Sequence, residues 1–303
     1  MEVAIRVGSV PPASAPWHPR DVPELPEVES LAAYLRATAT GLRVARVELA
    51  AISALKTFDP PVTALQGARV VDAGRRGKFL DVVLVDEDGE VIHLVTHLAR
   101  AGWLHWRKEL SSTPPKPGKG PLAFRTAFVD DDGVPAGGFD LTEAGTQKRL
   151  AVYVTRDPAT IEGLARLGPE PLDDDFTVDV LAGILRDAKG KQLKGVLRDQ
   201  STIAGIGNAY SDDILHAAKL SPFKPAGNLT PDEIATLHRA IHDVLTDAVT
   251  RSEGLGAADL KAEKKLGMRV HGRTGQPCPV CGDVVREVSF ADSSLQYLSL
   301  IHI

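Results

Sequence analysis

The residues best suited to chemistry lie in Pro23-Glu24-Leu25-Pro26-Glu27-Val28-Glu29-Ser30. A proline nitrogen at a chain terminus is a secondary amine. Such α-amino groups titrate near pH ~8, well below lysine at ~10.4, so a useful fraction is unprotonated at neutral pH. An amine of this kind can attack an electrophilic carbon and form a cationic iminium, which then serves as an electron sink. Here Val22 precedes Pro23, so the nitrogen is a tertiary amide and cannot attack. The octapeptide is also a good helix start: Pro26 suits a first turn, and the helix dipole favours Glu27 and Glu29. Three further groups carry chemistry. Lys78 lies in Arg75-Arg76-Gly77-Lys78-Phe79-Leu80 and would otherwise be an ordinary lysine at a strand start. In Gly205-Ile206-Gly207-Asn208-Ala209-Tyr210 two glycines before a helix let backbone N–H groups approach a phosphate, and Asn208 adds a side-chain donor. Cys278-Pro279-Val280-Cys281-Gly282 is half of a zinc ribbon.

The elements that must position these residues follow from patterning. A chain of 303 residues with 43% hydrophobic content suggests about two domains. Val28, Leu31 and Leu35 fall at helical spacing and Gly41 stops that helix. Strand-like runs follow at Val44–Leu49, Ala68–Asp72, Phe79–Val85, Val91–Leu98, Ala123–Val129 and Arg149–Thr155, with Asp86-Glu87-Asp88-Gly89 as a hairpin turn. Ser111–Pro121 reads as a loop and Leu167–Leu172 as a linker. From Thr177 the pattern is helical, and Thr230-Pro231-Asp232-Glu233 is a capping box. The organisation predicted is α+β: a β-sandwich domain with a leading helix over 23–155, a linker over 156–176, a helical domain over 177–260 and a finger region over 261–303. Residues 1–22 read as a non-native extension. No apolar stretch approaches the ~20 residues of a membrane span, and 1–22 show no secretory signal, so a cytoplasmic protein is expected. The net charge of −5 argues mildly against nucleic acid. Its distribution does not: Arg186, Lys189, Lys191, Lys194 and Arg198 cluster, as do Lys261, Lys264, Lys265, Arg269 and Arg273.

Taken together and in order, these segments resemble the formamidopyrimidine-DNA glycosylase and endonuclease VIII family of DNA-repair enzymes. The resemblance spans roughly residues 23 to 297. It implies a bifunctional DNA glycosylase and abasic-site lyase, acting as a monomer on oxidised bases in duplex DNA and associated with the nucleoid. By resemblance Pro23 is the nucleophile, Glu24 the proton-transfer group and Glu27 a supporting carboxylate. Lys78 and Asn208 bind phosphate, and 205–210 belongs to a helix–two-turn–helix motif. The family's terminal zinc finger begins at His271–Gly282, with Cys278 and Cys281 as its first ligand pair.

The sequence departs from that pattern in four places. Arg100 stands where the formamidopyrimidine branch inserts a methionine into the gap left by an extruded base, and Arg149-Leu150 where it inserts an Arg–Phe pair. Ser293 replaces the finger's arginine. The second cysteine pair falls on Leu298 and Ile301, with His302 nearby, so a truncated finger that does not hold zinc stably is expected. Two other readings follow: a non-catalytic binder of damaged DNA with a blocked amine, and a nonfunctional gene fragment.

Overall fold

A computed structural model describes residues 22–118, 120–144, 147–289 and 294–299. Two compact units emerge. One comprises Pro19–Arg166 together with Ser252–Lys261, and the other is built on Leu167–Arg251 and Ala262–Ile303.

The first unit opens with α1 (Leu25–Ala39), whose Leu25, Val28, Leu31, Ala32 and Leu35 are wholly buried. Gly41 ends it at φ +89°, a conformation that glycine adopts without penalty. Eight strands follow: β1 (Arg43–Leu49), β2 (Arg69–Arg76), β3 (Phe79–Val85), β4 (Val91–His97), β5 (Gly102–Arg107), β6 (Leu122–Val129), β7 (Pro135–Glu143) and β8 (Ala151–Thr155). They form one antiparallel sheet in the order β5-β7-β6-β1-β2-β3-β4-β8. β1 meets β2 only at Arg43–Arg69, so the sheet is nearly interrupted there. Leu80, Val82, Leu84 and Leu94 from one half and Phe124, Phe128, Phe139 and Leu141 from the other line a single core beneath α1, giving the expected sandwich character. At ~25 cal/mol per Å² of apolar surface, this cluster is the main force closing the unit. The short α2 (Glu162–Ala165) meets β3 where Gly163 lets the Phe79 ring approach: an added Cβ would lie 2.8 Å from it.

Ser252–Lys261 completes this unit. Leu255, Ala257 and Leu260 join the core, Trp103 Nε1 donates to the Ala257 carbonyl at 2.8 Å, and the Lys261 ammonium lies 4.4 Å from the Trp103 ring.

The second unit is helical: α3 (Val178–Ala188), α4 (Leu193–Arg198), α5 (Asn208–Ala218), α6 (Pro231–Ser252) and α7 (Leu260–Gly267), then a hairpin of β9 (Arg286–Ser289) and β10 (Ser294–Tyr297). The predicted capping box starts α6, with Thr230 N donating to Glu233 Oε2 at 2.8 Å and Glu233 N to Thr230 Oγ1 at 3.3 Å. The Leu167–Leu172 stretch is hydrogen-bonded onto the helical unit: Gly168 N donates to the Gln200 carbonyl at 2.8 Å and Ala204 N to the Pro169 carbonyl at 3.0 Å. A side chain at 168 would strike the Thr202 carbonyl, which explains the glycine.

Candidate active site

Pro23 is buried immediately before α1, and Glu24 is that helix's N-cap. Glu24 N donates to Glu27 Oε2 at 2.8 Å, and the Glu24 carboxylate accepts in return from the Glu27 backbone N–H. This reciprocal cap satisfies two of the N–H groups that a helix start leaves without partners. Both carboxylates are almost fully buried, at 2% and 3% exposure, and both stand within the first turn, where the helix dipole favours negative charge. Glu27 thereby fixes the backbone one residue from Pro23. Arg75 Nε binds Glu29 at 2.8 Å and ties β2 to the same turn of α1.

Lys78 occupies the tip of the β2–β3 hairpin. The Arg76–Phe79 pair closes the ladder, leaving Gly77-Lys78 as a two-residue loop, and Gly77 takes φ +54°. Across the sheet from Phe79 stands His97, their rings 4.8 Å apart. Burial, with the nearby Lys78 charge, pushes the His97 imidazole down to about 4. It is therefore neutral at physiological pH and offers one N–H donor without adding a second positive charge beside Lys78. His97 carries no signal of its own in the sequence, because it lies within a β-branched run that looks purely structural.

In the second unit Asn208 is the first residue of α5, directly after Gly205-Ile206-Gly207. Gly205 takes φ +82°, and Gln200 holds the loop by accepting from Gly205 N at 3.0 Å and donating to the Ile206 carbonyl at 2.7 Å. The Asn208 amide donates to the Ser294 carbonyl at 2.8 Å, so one of its two N–H bonds already anchors β10. One turn on, Asp212 accepts from the buried Lys194 and pairs with His271 Nδ1 at 2.8 Å. Asp213 accepts three backbone N–H bonds, from Arg269 at 2.7 Å and from Val270 and His271 at 3.1 Å. Burial pushes the Asp213 carboxyl up, and those N–H groups oppose the shift.

Comparison with known proteins gives this arrangement a relative. The formamidopyrimidine-DNA glycosylase N-terminal domain matches residues 22–135, and the formamidopyrimidine-DNA glycosylase H2TH domain matches 167–258. The formamidopyrimidine-DNA glycosylase of Moorella thermoacetica is 35% identical over 277 residues, covering 88% of this chain and 94% of that protein. The chain belongs to the formamidopyrimidine-DNA glycosylase family. An uncharacterized formamidopyrimidine-DNA glycosylase-like protein of Mycobacterium tuberculosis is 60% identical over 131 residues, 43% of this chain and 81% of that one. Among solved structures, the MutM (Fpg) protein of Thermus thermophilus is 29% identical with a TM-score of 0.73, covering 92% of this chain and 98% of that one. A Lactococcus lactis formamidopyrimidine-DNA glycosylase, non-covalently bound to DNA containing an abasic site, shares the fold with a TM-score of 0.76 at 24% identity, covering 92% and 99%.

Against the family pattern, Arg100 lies partly exposed in the β4–β5 turn and Arg149 exposed in the β7–β8 loop. Leu150 does not project with Arg149: it is 2% exposed and packed in the core, so no apolar wedge comes from that position. The family's zinc does not fit the described residues. Cys278 is buried in an apolar cluster with Val270, Val285 and Leu298, so the residue at the expected third ligand position is a packing partner. The Cys278 sulfur lies 3.2 Å from His216 Nε2, and Cys281 is exposed. Among the described residues, no group of three or more His, Cys, Asp or Glu side chains is placed to hold a metal ion. Ser293, Ile301 and His302 lie outside the described residues.

Proposed function

We propose that this chain is a bifunctional DNA glycosylase and abasic-site lyase that removes oxidised bases from duplex DNA once its amino terminus is Pro23. The observation that carries the reading is the buried Pro23-Glu24 pair, locked at the start of α1 by the Glu24–Glu27 cap. The family membership supports the reaction class.

With a free terminus, the Pro23 nitrogen lone pair attacks C1′ of the damaged nucleotide. The C1′–base bond breaks and the base leaves with its electron pair and takes up a proton. Opening of the sugar ring, with the proton moved by Glu24, gives an iminium between Pro23 N and C1′. That cation acidifies the C2′ protons. Loss of one proton and of the 3′ phosphate completes β-elimination, and water releases the enzyme. Lys78 and Asn208 hold phosphates in this reading, the latter through its remaining amide N–H. The damaged nucleotide must leave the stack, which costs a few kcal/mol and least for a damaged pair. Arg100 and Arg149 line the gap it leaves.

Val22 acylates the Pro23 nitrogen in the chain as written. That amide favours the second reading, a non-catalytic binder of damaged DNA. Borohydride trapping separates the two. Protein starting at Pro23 should form a covalent complex with abasic DNA through Pro23, and protein starting at Met1 should not. Glu24→Gln should slow base removal more than trapping on a preformed abasic site. Absence of a trapped complex with the correct terminus makes the binder reading the right one.

A further inference from the structure

The two arginines at the positions of the family's inserted side chains, Arg100 and Arg149, sit on loops that share one anchor. β7 ends at Glu143, a residue only 2% exposed. Its Oε1 accepts from Arg149 N at 2.7 Å and Leu150 N at 3.1 Å. Lys148 Nζ reaches back to the Glu143 carbonyl, and Glu143 N donates to the Pro121 carbonyl at 2.7 Å. The same strand end holds the other loop. Glu143 pairs with Gly102 in the β5–β7 ladder, and Ala144 N donates to the Ala101 carbonyl at 3.2 Å. Between these contacts the β4–β5 turn is forced tight: Ala99 takes φ +53°, unusual for a residue with a Cβ. A Cβ at Gly102 would lie 1.9 Å from the Leu98 carbonyl and 3.1 Å from Leu150 Cδ1, so the two loops touch through a position only glycine fits.

We propose that Glu143 is a positioning residue that sets Arg100 and Arg149 as one rigid reading element against the gap left by an extruded base. The proposal rests on the reading of function above. Its physical basis is the cost of the alternative. Without a carboxylate, the backbone N–H groups of Arg149 and Leu150 lose their acceptor, the second of them in a buried position. The loop must then rearrange, and Leu150 can no longer lock the Arg100 turn through Gly102. A charged side chain buried at a strand end is an expensive way to hold a loop, unless the exact placement of that loop matters. Glu143 is buried and acts through the backbone of the two loops.

The test uses protein starting at Pro23, with E143L, E143D and E143Q. Leucine removes the acceptor, aspartate withdraws it by one methylene, and glutamine keeps an oxygen in place. The first readout is the fluorescence of 2-aminopurine opposite a stable abasic analogue in duplex DNA, which needs binding but no catalysis. The wild-type protein should unstack the probe, E143L and E143D should lose most of that signal at saturating protein, and E143Q should keep it. The second readout is excision of an oxidised base from duplex DNA. E143L should lower its rate roughly ten- to a hundredfold, whereas β-elimination at an abasic site in single-stranded DNA, which has no opposite base, should fall far less. Combined with R149A, E143L should cost little more than R149A alone. Equal losses on both DNA forms, or additive losses with R149A, would overturn the proposal and leave Glu143 a simple stability residue. If E143L fails to fold, E143D and E143Q decide by the same comparison. Failure of wild-type protein to trap abasic DNA, with the fluorescence pattern intact, would refute the enzyme and spare the positioning role.

Discussion

Two neighbouring positive centres repel, and His97 avoids this by staying neutral beside Lys78. Its imidazole is held near 4 by burial first and by the Lys78 charge second, against ~6.5 in an unfolded chain. Below pH 6.5 the unfolded chain takes up a proton that the folded chain refuses until about pH 4. Stability therefore rises with pH across that window and is flat on either side of it, as far as this residue is concerned. His97→Gln should remove that part of the slope. Urea midpoints measured from about pH 4 to pH 7 on both proteins check it: the wild-type advantage over the variant should shrink as pH falls, and a constant difference would contradict it. Glu24 and Glu27 make a different point at the same scale. Each carboxylate serves the helix through the reciprocal cap, one and four residues from Pro23, so a good helix start and the catalytic terminus of the proposed function draw on the same side chains.

At the scale of elements, the parts legible in the sequence were those whose signal is local. β3 and β4 announce themselves by β-branched runs around an Asp-Gly turn, and α6 by its capping box. β5 and β7 carry no such local signal, for physical reasons. β7 carries Gly137 and Gly138 in its first half because the neighbouring backbone leaves no room, with the Thr126 carbonyl 2.1 Å from where a Gly138 Cβ would sit. β5 is short and aromatic, and the sheet gives it a partner that the sequence cannot show. Glu143 was illegible for the same reason, since its function depends on where β7 ends. The Asp212-Asp213 pair was equally hidden: within an amphipathic helix two acids look solvated, yet both are buried and hold the 269–271 segment. Asp213→Ala leaves three backbone N–H groups without their acceptor and should cost about 2–4 kcal/mol. Denaturant unfolding measures the loss, and limited proteolysis should show new cleavage after Arg269 and Arg273. Unchanged cleavage would mean that the finger region is held by something other than α5.

For the molecule as a whole, the sign of the net charge is a poor guide to its partner. The chain carries −5 overall, and such a protein would be repelled by DNA if its charge were spread evenly. The acids instead pair internally, as in Arg125 with Asp140, Arg36 with Asp72 and Lys194 with Asp212. What faces a phosphate backbone in the proposed function is a small set of cations, Lys78 among them. Each phosphate neutralised releases condensed counterions and adds about 0.9 to the slope of log affinity against log salt on duplex DNA. Lys78→Ala should therefore weaken binding to abasic-analogue duplex and flatten that slope by roughly one unit. The slope is the stronger test than the affinity, because a variant that merely disturbs the hairpin would lower binding at every salt concentration alike. Fluorescence anisotropy at several salt concentrations measures both quantities, and a parallel line displaced to weaker binding would remove Lys78 from the phosphate contacts.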